Sequence, residues 1–192
     1  MSVQLHDDTS AFHRQVAPMS EERLRVVAAA GLVVGAVFGI VGTFVPSAEL
    51  RGLAWGLDGT ALVLSSALLT VYYLRRGDLQ LAAGFLVFLA GETLIVSGSA
   101  MELAASAPTF AAGAGLWAAS LALVSASPAI PTLVRITGAI AALLLAVAAA
   151  RIFGGANLTP LSQPLPFFAY PFLGFTLVGW AWVHRGRPAE SS

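Results

Sequence analysis

The stretch that decides the fold is LQLAAGFLVFLAGETLIVSGSAM, residues Leu79–Met101, in which Glu92 is the single charged residue. Its length matches the roughly 20 residues that a helix needs to cross the hydrocarbon core of a bilayer. A helix satisfies all backbone hydrogen bonds within one segment, as a lipid environment demands. The stretch therefore predicts a transmembrane helix with a carboxyl group near its middle.

Further apolar stretches of similar length lie on both sides of this one, separated by prolines and short polar turns. They are Val26–Val45, Leu53–Leu74, Thr109–Ala126, Thr132–Phe153 and Phe167–His184. Pro46, Pro108 and Pro131 stand at their ends, where proline is tolerated or stops a helix. The pattern predicts an all-α, polytopic membrane protein, with a bundle of six transmembrane helices in residues 20–185 and cytoplasmic tails at 1–19 and 186–192. Ser20, followed by Glu21 and Glu22, is a predicted N-cap.

The composition agrees with a lipid environment. Hydrophobic residues make up 57% of the chain and charged residues 10%, whereas soluble domains average about 25% charged residues. The excess apolar surface must face something other than water, so the lipid bilayer is the first predicted partner.

Several functions are disfavoured by what the sequence lacks. The formal net charge is zero, and no basic patch points to nucleic acid. The chain has neither cysteine nor lysine, which removes thiolate chemistry and lysine-linked cofactors. His6, His13 and His184 all lie outside the interior of the predicted helices. We therefore predict no metal and no cofactor, and an enzyme is not the favoured interpretation.

The arginines predict the orientation, because basic residues collect on the cytoplasmic side. One side receives eight arginines: Arg14, Arg23, Arg25, Arg75, Arg76, Arg135, Arg185 and Arg187. The other receives Arg51 and Arg151. This bias places both termini in the cytoplasm. A basic set made only of arginine, with abundant alanine, glycine and valine, suggests a bacterial protein, and hence the inner membrane.

Glu92 is the leading candidate for a functional residue, because a charge in a membrane span is costly and usually has a use. Without a partner, its carboxylate is expected to take up a proton. One interpretation is a proton or cation site, or a polar anchor for a ligand. The other is a hydrogen-bonded glutamate that holds helices together.

Asp58 is the second candidate. It shares a helix face with Ser65, and Ser66 and Tyr73 lie close to that face. Such a stripe can line a water-filled cavity, or it can hydrogen-bond to neighbouring helices. Both interpretations stay open.

Glu102 and Arg151 complete the candidate set, at the periplasmic ends of the third and fifth predicted helices. Arg151 either pairs with an acid or extends to the lipid headgroups. We hypothesise that Asp58, Glu92, Glu102 and Arg151 converge on a polar vestibule that opens to the periplasm.

Two further features have alternative interpretations. Gly31, Gly35 and Gly39 follow small-xxx-small spacing, which serves packing within the chain or a homo-oligomer. The loop 154–166 and the aromatic entry to the last helix form either an interfacial belt or a lid. Trp55, Trp180 and Trp182 are expected at interfacial depths, and Trp117 between helices.

Two functions from different classes follow. In the first, the protein binds or passes a small solute or ion through the periplasm-facing cavity around Glu92 and Asp58. In the second, it is an accessory or structural subunit of a membrane complex, whose buried polar groups serve only packing. An intramembrane enzyme or sensor is a weaker third interpretation.

Overall fold

The computed structural model describes residues 19–185, and this part of the chain is all-α. Within it lie six helices long and apolar enough to cross a membrane. They are α1 (Glu21–Phe44), α2 (Ala48–Arg75), α3 (Leu79–Ser99), α4 (Ala107–Ala126), α5 (Thr132–Phe153) and α6 (Tyr170–His184), the last preceded by a π-helical turn (Leu165–Ala169). The all-helical prediction and the prediction of a multi-pass membrane protein are therefore supported.

Side-chain caps explain where three of these helices begin. The hydroxyl of Ser20 accepts a hydrogen bond from the backbone N–H of Arg23 at 3.3 Å, which confirms the predicted N-cap. Ser47 and Asp78 cap α2 and α3 in the same way. Because its cap lies in the polar segment, α1 begins at Glu21, five residues before the apolar stretch that starts at Val26.

The helices form a closed ring in which each packs against its neighbours in the sequence. α1 contacts α2, contacts continue pairwise through α5 and α6, and α6 returns to α1. A ring of this kind has an interior that no helix backbone fills. Side chains must fill that interior, or it remains open.

Glycines set the close approach of the helices within the ring. A Cβ placed on Gly35 or Gly39 would lie 3.2 or 2.8 Å from a carboxyl oxygen of Asp58 in α2. In α3, Gly91 lies against α4, where its Cβ would be 2.9 Å from the carbonyl oxygen of Gly113. The glycines of α1 and Gly91 of α3 thus pack against neighbouring helices within the chain.

The two ends of the ring differ in charge. At the near end, where the described chain begins and ends, Arg25 donates to the carbonyl oxygen of His184 and Arg76 lies 3.5 Å from Glu21. Six described arginines belong to this end: Arg23, Arg25, Arg75, Arg76, Arg135 and Arg185. The far end has Arg51 and Arg151. Arg14 and Arg187 lie outside the described residues, as do the whole predicted tail 186–192 and all of the tail 1–19 except Met19.

Large apolar side chains cover the outside of the ring. Examples on three different helices are Leu64, Leu143 and Phe175, all more than half exposed. In water this surface would be strongly unfavourable, because monomeric soluble proteins rarely expose large contiguous apolar patches. The outside of the ring therefore fits a lipid environment.

Candidate functional site

A cavity of about 500 Å³ occupies the far half of the ring interior. The last turns of α1 and α3, the first turns of α2 and α6, and residues of α4 surround it. Its lining includes Asp58, Glu92 and Glu102, three of the five residues that the sequence singled out.

Glu92 lies at the deep end of this cavity. Its side chain is 1% exposed, and its Oε2 atom has no hydrogen-bond partner among the described residues. The other oxygen, Oε1, faces α2 at Gly59, where a Cβ would lie 3.2 Å away. The space beside Gly59 is filled mainly by the side chain of Val96, and Glu92 lies at its edge.

Asp58 precedes Gly59 in α2 and reaches the same cavity from that helix. Its oxygens lie against Gly35 and Gly39 of α1, and its Oδ1 atom is buried without a hydrogen-bond partner in the described part of the chain. Asp58 and Glu92 therefore reach the cavity from adjacent helices. They do not lie on remote or lipid-facing surfaces.

The mouth of the cavity has charges of both signs. Glu102 is exposed there, after the end of α3. Arg51 donates to the carbonyl oxygen of Val45 at 3.3 Å, and its guanidinium lies 5.8 Å from the ring centre of Trp55. The sequence did not single out Arg51 or Trp55 as site residues.

Ser65 and Arg151 are not among the residues that line the cavity. The hydroxyl of Ser65 donates to the carbonyl oxygen of Ala61 at 2.7 Å and lies against Gly31 of α1. Arg151 is exposed in the last turn of α5. The polar stripe of α2 is therefore divided: Asp58 faces the cavity, and Ser65 lies at a packed helix contact.

An aromatic core closes the ring interior on the near side of the cavity. Its members, from the cavity toward the near end, are Trp117, Phe88, Trp180, Phe85 and Tyr73. Successive ring centroids are 5.0–5.8 Å apart, a spacing typical of favourable stacked and edge-to-face pairs. The cavity therefore has an aromatic floor on the near side.

The aromatic core includes one residue that the sequence did not single out. Trp180 is 0% exposed within the core and faces the interior of the ring, whereas Trp182 is 61% exposed on the outside. His184 is buried beside Tyr73, with 2.7 Å between its Nε2 atom and the tyrosine hydroxyl. Its position at the end of α6 gave no sign of this burial.

The loop that precedes α6 reaches the cavity. The hydroxyl of Tyr170 donates to the carbonyl oxygen of Pro160 at 2.9 Å, and both residues line the cavity. Phe167 and Phe168 of the π-helical turn are more than half exposed on the outside. The aromatic entry thus has an inward part, as a lid would have, and an outward part, as an interfacial belt would have.

Comparison with known proteins finds no matching family model, no matching curated protein and no matching solved structure. The fold and the site define a class, a multi-pass helical membrane protein with an acidic cavity inside a ring of helices.

Proposed function

We propose that the protein binds or passes a small solute or ion through the cavity around Glu92 and Asp58. In the orientation that the arginines favour, both termini are cytoplasmic and the cavity faces the periplasm of a bacterial inner membrane. The aromatic core fills the ring interior on the near side of the cavity, so in this orientation a solute would enter from the periplasm. Passage to the cytoplasm would require the aromatic rings to move.

The observation that carries this proposal is the burial of the Glu92 carboxyl group without a hydrogen-bond partner for one of its oxygens. It is buried at the deep end of a cavity, and its Oε2 atom has no partner in the described chain. Buried polar atoms are nearly always hydrogen-bonded, and an exception needs an explanation. A ligand, a bound proton or water in the cavity supplies one.

The alternative, an accessory or structural subunit, explains the carboxyl group less well. A glutamate that holds helices together donates or accepts hydrogen bonds across the helix contact. Ser120 illustrates that use, because its hydroxyl donates to the carbonyl oxygen of Gly84 on α3 at 2.7 Å. Neither Asp58 Oδ1 nor Glu92 Oε2 has a hydrogen bond of that geometry with described residues, and the one candidate donor to Glu92 across a helix contact is the indole N–H of Trp117 on α4.

Thermal unfolding of the purified protein in detergent tests the proposal. The solutes are sodium chloride, benzyl alcohol, sodium benzoate and benzyltrimethylammonium chloride. A ligand that binds only the folded state raises the Tm. We expect at least one solute to raise the Tm of the wild type and of Thr93→Val, and to leave that of Glu92→Gln unchanged.

Thr93 is a matched control because it neighbours Glu92 on α3, faces outward and does not line the cavity. If no solute raises the Tm of the wild type and Glu92→Gln lowers it, the carboxyl group serves packing. That result would favour the structural subunit.

A further inference from the structure

We propose that the ligand of this cavity is an organic cation with an apolar body, that is, an amine or a quaternary ammonium compound. This inference rests on the proposed function and specifies its ligand class. It follows from the charge, the unpartnered atoms, the wall and the size of the cavity.

The ionisable side chains of the lining are mainly acids. Among the described residues that line the cavity, the acids are Asp58, Glu92 and Glu102, and the only base is Arg51. Arg51 lies at the mouth, with its guanidinium held by a backbone oxygen. The deep part therefore has two carboxyl groups and no basic side chain to neutralise them, which favours a positive ligand.

Three buried side-chain atoms of the lining residues have no hydrogen-bond partner among the described residues: two are carboxyl oxygens, and the third is the indole nitrogen of Trp117. Asp58 Oδ1 and Glu92 Oε2 are buried, and neither receives a hydrogen bond from a described residue. An ammonium group beside them would either donate hydrogen bonds to these oxygens or, if quaternary, satisfy them by charge alone. An anionic ligand would instead be placed beside the carboxyl groups of two acids, which offer it no favourable charge.

The wall of the cavity is suited to a cation that has an apolar body. Trp55, Phe110, Trp117 and Tyr170 contribute aromatic rings to the lining. The face of an aromatic ring attracts a cation through its quadrupole. Trp55 already has such a contact, because the guanidinium of Arg51 lies 5.8 Å from its ring centre.

The size of the cavity argues against a bare metal ion as the occupant. A volume of about 500 Å³ falls in the range of small-molecule pockets. A hard ion such as Ca²⁺ takes six to eight oxygen ligands at roughly 2.4 Å, whereas aliphatic residues such as Leu62, Leu173 and Leu177 form much of this lining. An organic cation of moderate size would fill the space, with its charge beside the carboxyl groups and its apolar body against the aliphatic and aromatic side chains.

Isothermal titration calorimetry of the detergent-solubilised protein with benzyltrimethylammonium chloride tests the ligand class. We expect saturable binding to the wild type. We expect Glu92→Gln and Asp58→Asn each to weaken it by roughly tenfold or more, because each removes one charged partner. Thr93→Val should bind as the wild type does. Since Asp58 is only half-buried, its variant remains informative if Glu92→Gln fails to fold.

Benzyl alcohol and sodium benzoate share the aromatic body but are neutral and anionic, and sodium chloride supplies an inorganic cation. If one of these binds as tightly as benzyltrimethylammonium and depends on Glu92, the ligand class is overturned and the proposed function stands. If benzyltrimethylammonium does not bind the wild type, the ligand class is overturned as well. If no solute binds and none raises the Tm, the proposed function falls with it.

Discussion

Glu92 on α3 places its Oε1 atom against Gly59 on α2, where a Cβ would lie 3.2 Å away. The same Cβ would overlap the side chain of Val96, which also lines the cavity. Gly59 directly follows Asp58, so this one contact brings the two acidic positions to adjacent parts of the same cavity. The site therefore depends on a missing side chain as much as on the two carboxyl groups.

Gly59→Ala should destabilise the protein by about 1–3 kcal/mol, the usual cost of overpacking. It should also lower the affinity for any cavity ligand, because Val96, which lines the cavity, must move away from the added Cβ. Gly56→Ala is the matched control on the same helix, since no atom lies within 4 Å of the Cβ it would add. It should be neutral or stabilising by up to about 1 kcal/mol, since alanine favours helix over glycine. Thermal unfolding of both variants checks this, and equal effects would contradict the close approach of α3 to Gly59.

The Tyr73–His184 pair should stabilise the near end of the ring. Tyr73→Phe removes the hydroxyl that lies 2.7 Å from His184 Nε2 and leaves a buried ring nitrogen without a partner. The expected loss is about 1–3 kcal/mol of the free energy of unfolding. Tyr72→Phe, which changes the neighbouring tyrosine of α2, is the control and should lower the free energy of unfolding by less. A double-mutant cycle with His184→Leu measures the coupling, and additive effects would argue against the pair.

The contact between Tyr170 and Pro160 should restrict access to the cavity. Tyr170→Phe removes the hydroxyl that donates to the Pro160 carbonyl oxygen. We expect a cysteine at position 95, inside the cavity, to react several-fold faster with a water-soluble thiol reagent in this variant, an effect of about 1 kcal/mol. An unchanged rate would mean that the loop does not act as a lid.

The orientation is testable with single cysteines, since the chain has none of its own. Ala129 and Asn157 are exposed in loops at the near and far ends of the ring. With a membrane-impermeant thiol reagent on intact cells, Asn157→Cys should be labelled and Ala129→Cys should react only after the cells are opened. The reverse pattern would place the cavity on the cytoplasmic side.

Much of the fold could be predicted because hydropathy alone reports it. Each helix needs enough apolar residues to cross a bilayer, and prolines and caps such as Ser20 mark the ends. Glu92 could be found for the same reason, because a carboxyl group inside an apolar run is conspicuous. The local spacing of Gly31, Gly35 and Gly39 also predicts a close helix contact, but it does not tell packing within the chain from a homo-oligomer.

The rest of the site depends on which faces of the helices point into the ring, and one sequence does not fix those faces when every helix is apolar all round. Trp180 resembles an interfacial residue by its place near the end of α6, yet the inward side of the ring buries it between Phe85 and Phe88. Ser65 follows Asp58 on one face but meets Gly31 of α1. Arg51 belongs to the site because the first turn of α2 packs beside the last turn of α3. That helix contact is part of the tertiary structure, and the local sequence does not report it.

The proposed function requires that the interior of the ring beside Glu92 is open to water and solutes. Cysteines at positions 95 and 93 test it most directly, since these neighbours on α3 lie about 3 Å apart along the helix axis. Ile95 lines the cavity, whereas Thr93 faces outward and does not line it. A thiol must ionise to react, which water permits and lipid does not.

We predict that Ile95→Cys reacts with a water-soluble thiol reagent in membranes, and that a bound solute such as benzyltrimethylammonium slows the reaction. Thr93→Cys should stay unreactive at the same depth. If Ile95→Cys is as unreactive as Thr93→Cys, the interior beside Glu92 is dry and the proposed function is contradicted.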